Sequence, residues 1–252
     1  MKDQSAGVSL IQPPQPTHAV LGLPLHILGN YTQWLSDCIT QKLGVHVVTL
    51  NAEMAMQADQ ERALADVIHK AEMVVPDGAG VVLYQRLRGH KIQRCPGIEL
   101  AESVIRASST IGASTPLFFF GGAPGIAEAA AAKWRKELPA IAIAGIQHGF
   151  ISDDEEALFC QQLQDANPAV ILVGLGVPRQ EFWIAKHRYL CPNAVWMGVG
   201  GSFDVWAGTK NRAPKFLREN SLEWTYRLYK EPWRWRRMLA LPKFVWRAIW
   251  ER

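Results

Sequence analysis

The chain has 252 residues, of which 48% are hydrophobic and 20% are charged, and its formal net charge is +4. This composition predicts a globular protein with a large core, and it excludes general disorder, a collagen-like fibre and a small disulfide scaffold. The four cysteines lie far apart and form no CxxC pair, so neither a zinc cluster nor a disulfide framework is predicted.

Two long stretches of the chain, 4–36 and 107–127, carry no charged residue. Prolines and polar residues interrupt the first stretch, and glycines, Pro116 and Pro124 interrupt the second. Neither stretch has the continuous apolar character of a bilayer helix or of a signal-peptide core. We therefore expect a cytoplasmic protein without a transmembrane segment.

Charge is distributed unevenly along the chain. Residues 210–252 have a net charge of +8 and contain five of the ten tryptophans, whereas residues 1–209 have a net charge of −4. We therefore predict three segments: a disordered, Pro/Gln-rich extension over 1–18, a core over 19–221, and a basic, Trp-rich helical appendage over 222–252.

From about residue 45, short runs of β-branched or aromatic residues alternate with amphipathic or Ala-rich runs. The predicted strands cover 45–50, 73–75, 117–120, 141–146, 169–173 and 195–199. The predicted helices between them cover 54–69, 124–137, 153–165 and 179–189. Because the strands are apolar on both faces, the pattern predicts a Rossmann-like α/β fold with a mostly parallel sheet flanked by helices.

Three predicted strands run directly into glycine-rich turns. Ligands of open α/β sheets bind outside the carboxyl ends of the strands, where backbone N–H groups accept phosphate. A single such turn is also typical of a tight structural connection, but three in one sheet predict a nucleotide-type pocket. With the turn after the second strand included, the predicted substrate-binding glycines are Gly78, Gly121, Gly174, Gly176 and Gly200.

The turns do not match the motifs of the best-known nucleotide-binding enzymes. No turn reads GxGxxG and no GxxxxGK[ST] loop is present, which disfavours an NAD-dependent dehydrogenase and an ATPase. The Asp-x-Asp pair typical of metal-dependent sugar transferases is absent as well, and we interpret Asp153-Asp154 as a helix N-cap. We therefore predict neither a metal site nor a cofactor.

Polar residues that directly follow strands are the candidates for chemistry. Thr49 and Asn51 end the first strand, and Asp77 ends the second, although an Asp before a Gly is also typical of a turn or helix cap. Gln180 and Glu181 stand at the start of a predicted helix, where an early acidic residue is common. We interpret Glu181, together with Asp204, as a residue that orients neighbouring backbone.

At these residues the chain resembles a known family. The motifs that carry the resemblance, in chain order, are Thr49-Leu-Asn51, Pro76-Asp-Gly-Ala-Gly80, Arg94-Cys-Pro-Gly97, Gly174-Leu-Gly-Val-Pro-Arg-Gln-Glu181, Gly198-Val-Gly-Gly-Ser-Phe-Asp204, Ala207-Gly208, Arg212-Ala-Pro214 and Leu222-Glu-Trp-Thr-Tyr-Arg-Leu228. Together they resemble the WecG/TagA/CpsF glycosyltransferases, glycosyltransferase family 26, from about residue 20 to residue 237.

The resemblance implies an inverting transferase that moves N-acetylmannosamine from UDP-N-acetylmannosamine to polyprenyl-diphosphate-linked N-acetylglucosamine. The product would carry a β-1,4 linkage and serve teichoic acid or other cell-surface polysaccharide synthesis. The implied catalytic residues are Asp77 as base, Thr49, Arg94 and Gln180. The implied substrate-binding residues include Asn51 and the C-terminal arginines Arg227, Arg234 and Arg237.

Two alternatives stay open beside this interpretation. A member of the same family could use another UDP-sugar, such as UDP-glucose, because one set of pocket motifs serves several donors. A non-catalytic scaffold of a polysaccharide assembly complex is the alternative from another class, and the presence of Asp77, Arg94 and Gln180 disfavours it.

The chemistry of an inverting transfer agrees with the implied roles. One carboxylate must take the proton of the attacking hydroxyl, and positive charge or a metal must stabilise the departing diphosphate. Since no Asp-x-Asp pair is present, we expect the arginines of the tail to take the place of a metal.

The tail itself is predicted to form helices over 222–229, 232–241 and 243–252, interrupted by Pro232 and Pro242. Trp246 and Trp250 share one helical face beside basic residues, which is typical of a helix lying on anionic lipid. A packed C-terminal subdomain and an RNA-binding surface are the alternatives. Because a polyprenyl acceptor is implied, we expect peripheral attachment to the inner face of the cell membrane and no nucleic-acid partner; a homo-oligomer is left open.

Overall fold

The computed structural model describes residues 11–219, 222–235 and 239–250, except for the side chains of Asp153, Glu219, Arg227 and Arg234. Eight strands form a two-stranded antiparallel sheet, β1-β2, and a six-stranded parallel sheet in the order β4-β3-β8-β7-β5-β6. The strands are β1 (His18–Val20), β2 (Leu23–Leu25), β3 (Val45–Leu50), β4 (Met73–Pro76), β5 (Leu117–Gly121), β6 (Ile143–Gln147), β7 (Val170–Gly174) and β8 (Val195–Gly198).

Helices connect the strands and cover both faces of the parallel sheet. They are α1 (Tyr31–Gln41), α2 (Ala52–Gln60), α3 (Arg62–His69), α4 (Ala79–Leu87), α5 (Gly97–Ile111), α6 (Ile126–Glu137), α7 (Asp153–Ala166), α8 (Arg179–His187), α9 (Ser202–Trp206), α10 (Lys215–Glu219), α11 (Glu223–Lys230) and α12 (Ala240–Trp250). Short 3-10 turns cover Arg188–Leu190 and Pro232–Arg234. The predicted α/β class with a mostly parallel sheet is confirmed.

The core lies on the two faces of the parallel sheet. Every residue of β3 and β4 is buried, as are all residues of β5 and β8. Successive residues of a strand pack into different apolar clusters, one on each face of the sheet. In β3, Val47 belongs to the cluster that contains Phe119, and Val48 belongs to the cluster that contains Leu64. Apolar burial on both faces explains why these strands could be predicted as continuous apolar runs.

The helix predicted over 54–69 is wrong in one respect, because the structure divides this range into α2 and α3. Glu61 separates the two helices with an extended backbone, φ −123° and ψ 94°. Its N–H group donates to the carbonyl of Gln57 and ends α2, while α3 begins at the next residue. Neither Pro nor Gly marks the break, so the sequence carries no local signal for it.

The hairpin formed by β1 and β2 was not predicted. Its strands have three residues each, and Pro24 lies in the second one. His26, which directly follows β2, donates its backbone N–H to the Val74 carbonyl and accepts the Val74 N–H at Nδ1, both at 2.9 Å. The hairpin is therefore attached to β4 at the edge of the parallel sheet.

Part of the predicted disordered extension is hydrogen-bonded to the core. The backbone N–H of Ile11 donates to Oε1 of Gln41 at 3.1 Å, and that of Thr17 donates to the Leu25 carbonyl. His18 is the first residue of β1. Residues 1–10 of the extension lie outside the described residues.

The last helix, α12, packs on the core through one face. Phe244 and Ala248 are buried in the cluster formed by α2 and α4, and the Phe244 ring lies 5.7 Å from that of Tyr84. Pro242 lies in the first turn of α12 and does not interrupt it, because first-turn N–H groups have no intrahelical partner. Among the described helices, none has the length and apolarity needed to cross a membrane.

We expect Phe244→Ala to lower the free energy of unfolding, or of local opening of α12, by about 3 kcal/mol, because a large buried ring is removed. Trp246→Ala is the matched control on the same helix: Trp246 is 61% exposed, so its loss should change stability by less than about 0.5 kcal/mol. Denaturant unfolding measures the free energy of unfolding, and hydrogen exchange over 240–250 measures the free energy of local opening of α12. Equal stabilities for the two variants would contradict the packing of α12 through Phe244.

Candidate active site

A cavity of about 480 Å³ lies at the carboxyl edge of the parallel sheet. One part of its lining lies at the ends of three adjacent strands: Thr49 and Asn51 at the end of β3, Asp77 after β4, and 198–202 at the end of β8. Residues of α11 and of the 3-10 turn after it form another part of the wall, among them Tyr226. The polar residues predicted after the strands are thus brought together by the sheet.

The carboxylate of Asp77 is held by the start of α5. Its Oδ1 accepts the N–H of Gly97 at 2.9 Å, and its own backbone N–H donates to the Leu50 carbonyl of β3 at 3.0 Å. Asp77 is half-buried and lines the cavity. A backbone donor on the carboxylate fixes its direction, which is what a base in a binding cavity requires.

Thr49 and Asn51 reach the cavity from β3 in different ways. Asn51 is the N-cap of α2, since its Oδ1 accepts the Met54 N–H at 3.0 Å. Thr49 is 7% exposed and lies against Gly97, where a Cβ atom would approach Cγ2 of Thr49 to 2.9 Å. Gly97 therefore leaves room for Thr49 between β3 and α5.

Gln180 lines the cavity from the first turn of α8 and is 1% exposed. Its Nε2 donates to Oε1 of Glu181 at 2.9 Å, and its Oε1 accepts the N–H of Gly200 at 3.0 Å. Glu181 also contacts Nε2 of His46 at 2.8 Å through Oε2. The carboxylate of Glu181 thus contacts two side chains, whereas the sequence analysis interpreted Glu181 as a residue that orients neighbouring backbone.

Of the five predicted substrate-binding glycines, Gly200 lines the cavity, with φ +50°. Gly121 and Gly174 have a packing reason to be glycine: a Cβ on Gly121 would meet the backbone of Gly174 at 2.5 Å, and one on Gly174 would meet the Phe203 ring at 2.8 Å. Gly78 and Gly176 are not among the lining residues either.

The cavity is also lined by three basic residues that the sequence did not assign to the site: Lys210, Arg212 and Lys230. Arg212 donates from Nη2 to Oε1 of Glu99 at 2.8 Å, which holds its guanidinium in place. Arg212 stands in one of the motifs of the resemblance, which was the available signal, whereas no pattern marks Lys210 or Lys230.

Two glutamates of the tail pair with cations of the core. Glu223 of α11 lies 3.6 Å from Nη2 of Arg94, and Glu231 lies 3.1 Å from Nζ of Lys210. Arg94 itself is not among the lining residues, but its partner Glu223 is. The side chains of Arg227 and Arg234, and the whole of Arg237, lie outside the described residues.

The predicted membrane-contact residues lie on α12. Trp246 and Trp250 are 61% and 72% exposed, and their ring centroids are 6.3 Å apart. They occupy the face of α12 that does not carry the buried Phe244 and Ala248.

The acidic pair Asp153-Asp154 opens α7, but Ser152 is the N-cap, so the interpretation of the pair as the cap is wrong. Ser152 donates its backbone N–H to Oε2 of Glu155 at 2.8 Å. Within the described ranges, no group of three or more His, Cys, Asp or Glu side chains is arranged to hold a metal ion.

Known proteins resemble this chain over most of its length. The model of the WecG/TagA/CpsF glycosyl transferase family matches residues 18–252. The chain belongs to this family. An N-acetylglucosaminyldiphosphoundecaprenol N-acetyl-beta-D-mannosaminyltransferase of Bacillus subtilis is 36% identical over 234 residues, which cover 91% of this chain and 90% of that protein. The protein of the same name from Bacillus spizizenii is 38% identical over 208 residues, or 82% of this chain and 79% of that protein.

Cys95 connects the family motif Arg94-Cys-Pro-Gly97 to Asp77. Its backbone N–H donates to the Pro76 carbonyl at 2.7 Å. Burial, followed by the negative charges of Asp77 and Glu99, raises the pKa of the Cys95 thiol to about 12. The thiol is therefore protonated at neutral pH, and it reports on the charge of the carboxylate beside it.

We expect Asp77→Asn to accelerate alkylation of Cys95 by iodoacetamide at about pH 8, because loss of the negative charge lowers the thiol pKa and increases the thiolate fraction. The increase should be at most about tenfold, since one pKa unit changes that fraction tenfold. Peptide mass spectrometry would measure the rate. Cys191 is the internal control, because burial alone raises its pKa, to about 11, and its rate should not change. An unchanged Cys95 rate would contradict an effect of the Asp77 charge on the Cys95 thiol.

Proposed function

We propose that the chain transfers N-acetylmannosamine from UDP-N-acetylmannosamine to a polyprenyl-diphosphate-linked N-acetylglucosamine, with inversion and formation of a β-1,4 linkage. Membership of the glycosyl transferase family and the names of the two relatives support this proposal. The observation that carries it is the carboxylate of Asp77, held by Gly97 in a cavity of about 480 Å³. The reaction would serve teichoic acid or related cell-surface polysaccharide synthesis.

Asp77 acts as the base in this proposal. The 4-hydroxyl oxygen of the acceptor attacks C1 of the donor sugar while Asp77 takes the hydroxyl proton. The bond between C1 and the phosphate oxygen breaks, and its electron pair leaves with UDP. Such proton transfer to a positioned carboxylate contributes about 10²- to 10⁴-fold to the rate.

The leaving diphosphate needs positive charge where it departs. Lys210, Arg212 and Lys230 line the cavity and supply that charge together with the tail arginines, whose side chains lie outside the described residues. Arginine suits this role because its guanidinium offers planar, paired donors to phosphate. We therefore propose that transfer proceeds without a metal ion.

The lipid-linked acceptor places the enzyme at a membrane surface, and α12 is the element that we propose to contact it. Its exposed face carries Trp246, Ile249 and Trp250, and its other face is fixed to α2 and α4. Aromatic rings beside basic residues favour the interface of an anionic bilayer. This arrangement supports the proposal that the protein attaches peripherally to the inner face of the cell membrane.

We expect Asp77→Asn to reduce kcat by about 10²- to 10⁴-fold while UDP affinity and stability stay unchanged. The amide has nearly the same shape and still accepts the Gly97 N–H through its oxygen, but it cannot take a proton at neutral pH. The measurement is transfer of radiolabelled N-acetylmannosamine to a synthetic lipid-diphosphate acceptor, with calorimetry for UDP. Asp37→Asn on α1 is the control and should retain wild-type turnover, because Asp37 accepts a hydrogen bond from Gln33 and does not line the cavity. Near-normal turnover of Asp77→Asn would remove Asp77 from the role of base.

We expect Trp246→Ala combined with Trp250→Ala to weaken binding to vesicles that contain anionic phospholipid, by about tenfold for each ring that loses its burial in the interface. Turnover with a short, water-soluble acceptor should stay at the wild-type level, because neither ring lines the cavity. Vesicle sedimentation measures the binding.

Tyr189→Ala is the matched control for these two variants. Tyr189 is 69% exposed in the 3-10 turn after α8, and its loss should leave vesicle binding unchanged. Vesicle binding that survives the loss of both tryptophans would contradict membrane contact through α12.

A further inference from the structure

His46 and Glu181 form a polar contact that is shielded from solvent. Glu181 is 0% exposed and His46 is 2% exposed, and the distance between Oε2 and Nε2 is 2.8 Å. His46 lies on β3 and Glu181 lies on α8, 135 positions further along the chain. Neither side chain lines the cavity, so neither is placed to touch a ligand there.

Both oxygens of the Glu181 carboxylate have a donor. Oε2 contacts Nε2 of His46, and Oε1 accepts from Nε2 of Gln180 at 2.9 Å. Because a carboxylate only accepts, these contacts place the imidazole proton on Nε2 of His46 and turn the NH₂ group of Gln180 toward Glu181. Burying a carboxylate is costly unless it is paired in this way.

The other end of the same amide is held by backbone. Oε1 of Gln180 accepts the N–H of Gly200 at 3.0 Å, and a backbone N–H can only donate. With an obligatory acceptor on one side and an obligatory donor on the other, the amide of Gln180 has a single orientation. An amide orientation is assigned from its partners, and here the two partners agree.

Gly198 closes the space around this contact. A Cβ atom at Gly198 would collide with Nε2 of Gln180 and would lie 2.7 Å from Oε1 of Glu181. Gly198 also lines the cavity, so the amide of Gln180 is packed between the carboxyl end of β8 and the carboxylate of Glu181.

We propose that Glu181, oriented by His46, is a positioning residue that makes Gln180 a hydrogen-bond donor toward the diphosphate of the donor nucleotide. One of the two Nε2 protons of Gln180 binds Glu181, and the second is presented to the ligand in the cavity. Without Glu181 only the Gly200 N–H would still hold the amide, so the amide could rotate more easily and present its carbonyl oxygen, which repels an anion. The role in turnover rests on the proposed function, whereas the orientation of Gln180 does not.

The first experiment is a double-mutant cycle of Glu181→Leu and Gln180→Ala, measured as kcat/KM. Each single variant should lose about 10- to 100-fold, as for a hydrogen bond to a charged group. If Glu181 acts through Gln180, the double variant loses no more than either single variant. Multiplied losses in the double variant, or an undiminished kcat/KM in Glu181→Leu, would overturn the proposal.

Glu181→Gln is the conservative variant, which separates positioning from stability. Its side-chain oxygen still accepts from Gln180, and its NH₂ group can donate to His46 once the imidazole proton moves to Nδ1. We expect kcat/KM to stay close to the wild-type value. The melting temperature should fall, because the N–H group at Nδ1 of His46 is then buried, and burying a polar group that lacks a hydrogen-bond partner is costly. A loss of kcat/KM as large as that of Glu181→Leu would contradict positioning by an acceptor oxygen.

Glu72→Gln is the control for a partly buried acidic contact to the same strand. Oε2 of Glu72 accepts the backbone N–H of His46 at 2.8 Å, and the carboxylate also pairs with Arg188, but it does not line the cavity. The variant should lose stability and keep kcat/KM. If Glu72→Gln and Glu181→Leu lose kcat/KM to a similar extent, both losses result from disturbance of β3, and the positioning role of Glu181 is contradicted.

A second measurement needs no folded Glu181 variant and no turnover. In ¹⁵N-labelled wild-type protein, the side-chain NH₂ of Gln180 is assigned by its absence in Gln180→Ala, and UDP is added. One proton should exchange slowly with solvent, and the other should shift on UDP binding. If UDP binds and neither proton shifts, the proposal is overturned. If the shift occurs but no N-acetylmannosamine is transferred, the proposed function fails and the positioning of Gln180 stands.

Discussion

The position of β8 in the middle of the parallel sheet is the constraint on which the cavity depends. β8 is the last strand along the chain, yet it pairs in parallel with β3 on one side and with β7 on the other. The pairs Val45–Val195 and Val170–Val195 set its register, so the glycine turn after β8 opens beside the residues that follow β3 and β4. The helices that follow these neighbouring strands pack on opposite faces of the sheet, since α2 after β3 belongs to the cluster of Leu64 and α9 after β8 belongs to the cluster of Phe119. Open α/β sheets bind ligands in the crevice where adjacent connections diverge in this way.

This placement also explains why the strand ends are rich in glycine. Two side chains that enter from helices need room at strand ends: Phe203 of α9 lies against Gly174, and Gln180 of α8 lies against Gly198. In the same way, Thr49 of β3 lies against Gly97 at the start of α5. Glycine at these positions therefore serves packing as much as contact with a ligand. The backbone of the turns is then held by side chains, as Gly200 is by Gln180, so that the cavity wall is built before a ligand binds.

Much of the sheet could be predicted because a strand that is buried on both faces is visible as an unbroken apolar run, as 45–50 and 169–173 show. The hairpin around Leu23 could not be predicted, because its strands are too short to show an alternating pattern of apolar and polar residues. The break at Glu61 could not be predicted either, because no Pro or Gly marks it. That Asp77, Thr49 and Gln180 lie together could be predicted because they stand at strand or helix ends and match family motifs. The contact between His46 and Glu181 is invisible in the sequence, because only the fold brings residues so distant along the chain together. Lys210 was missed for the same reason.

The attachment of His26 to Val74 covers one edge of the parallel sheet. An exposed sheet edge offers unpaired N–H and C=O groups on which another chain can add a strand. At β4 the imidazole and backbone of His26 occupy the N–H and C=O groups of Val74, although no regular strand lies there. In the described part of the chain, β6 is the opposite edge of the parallel sheet, and it pairs only with β5. A strand added by another chain would therefore find its place at β6 rather than at β4, on the far side of the sheet from Asp77.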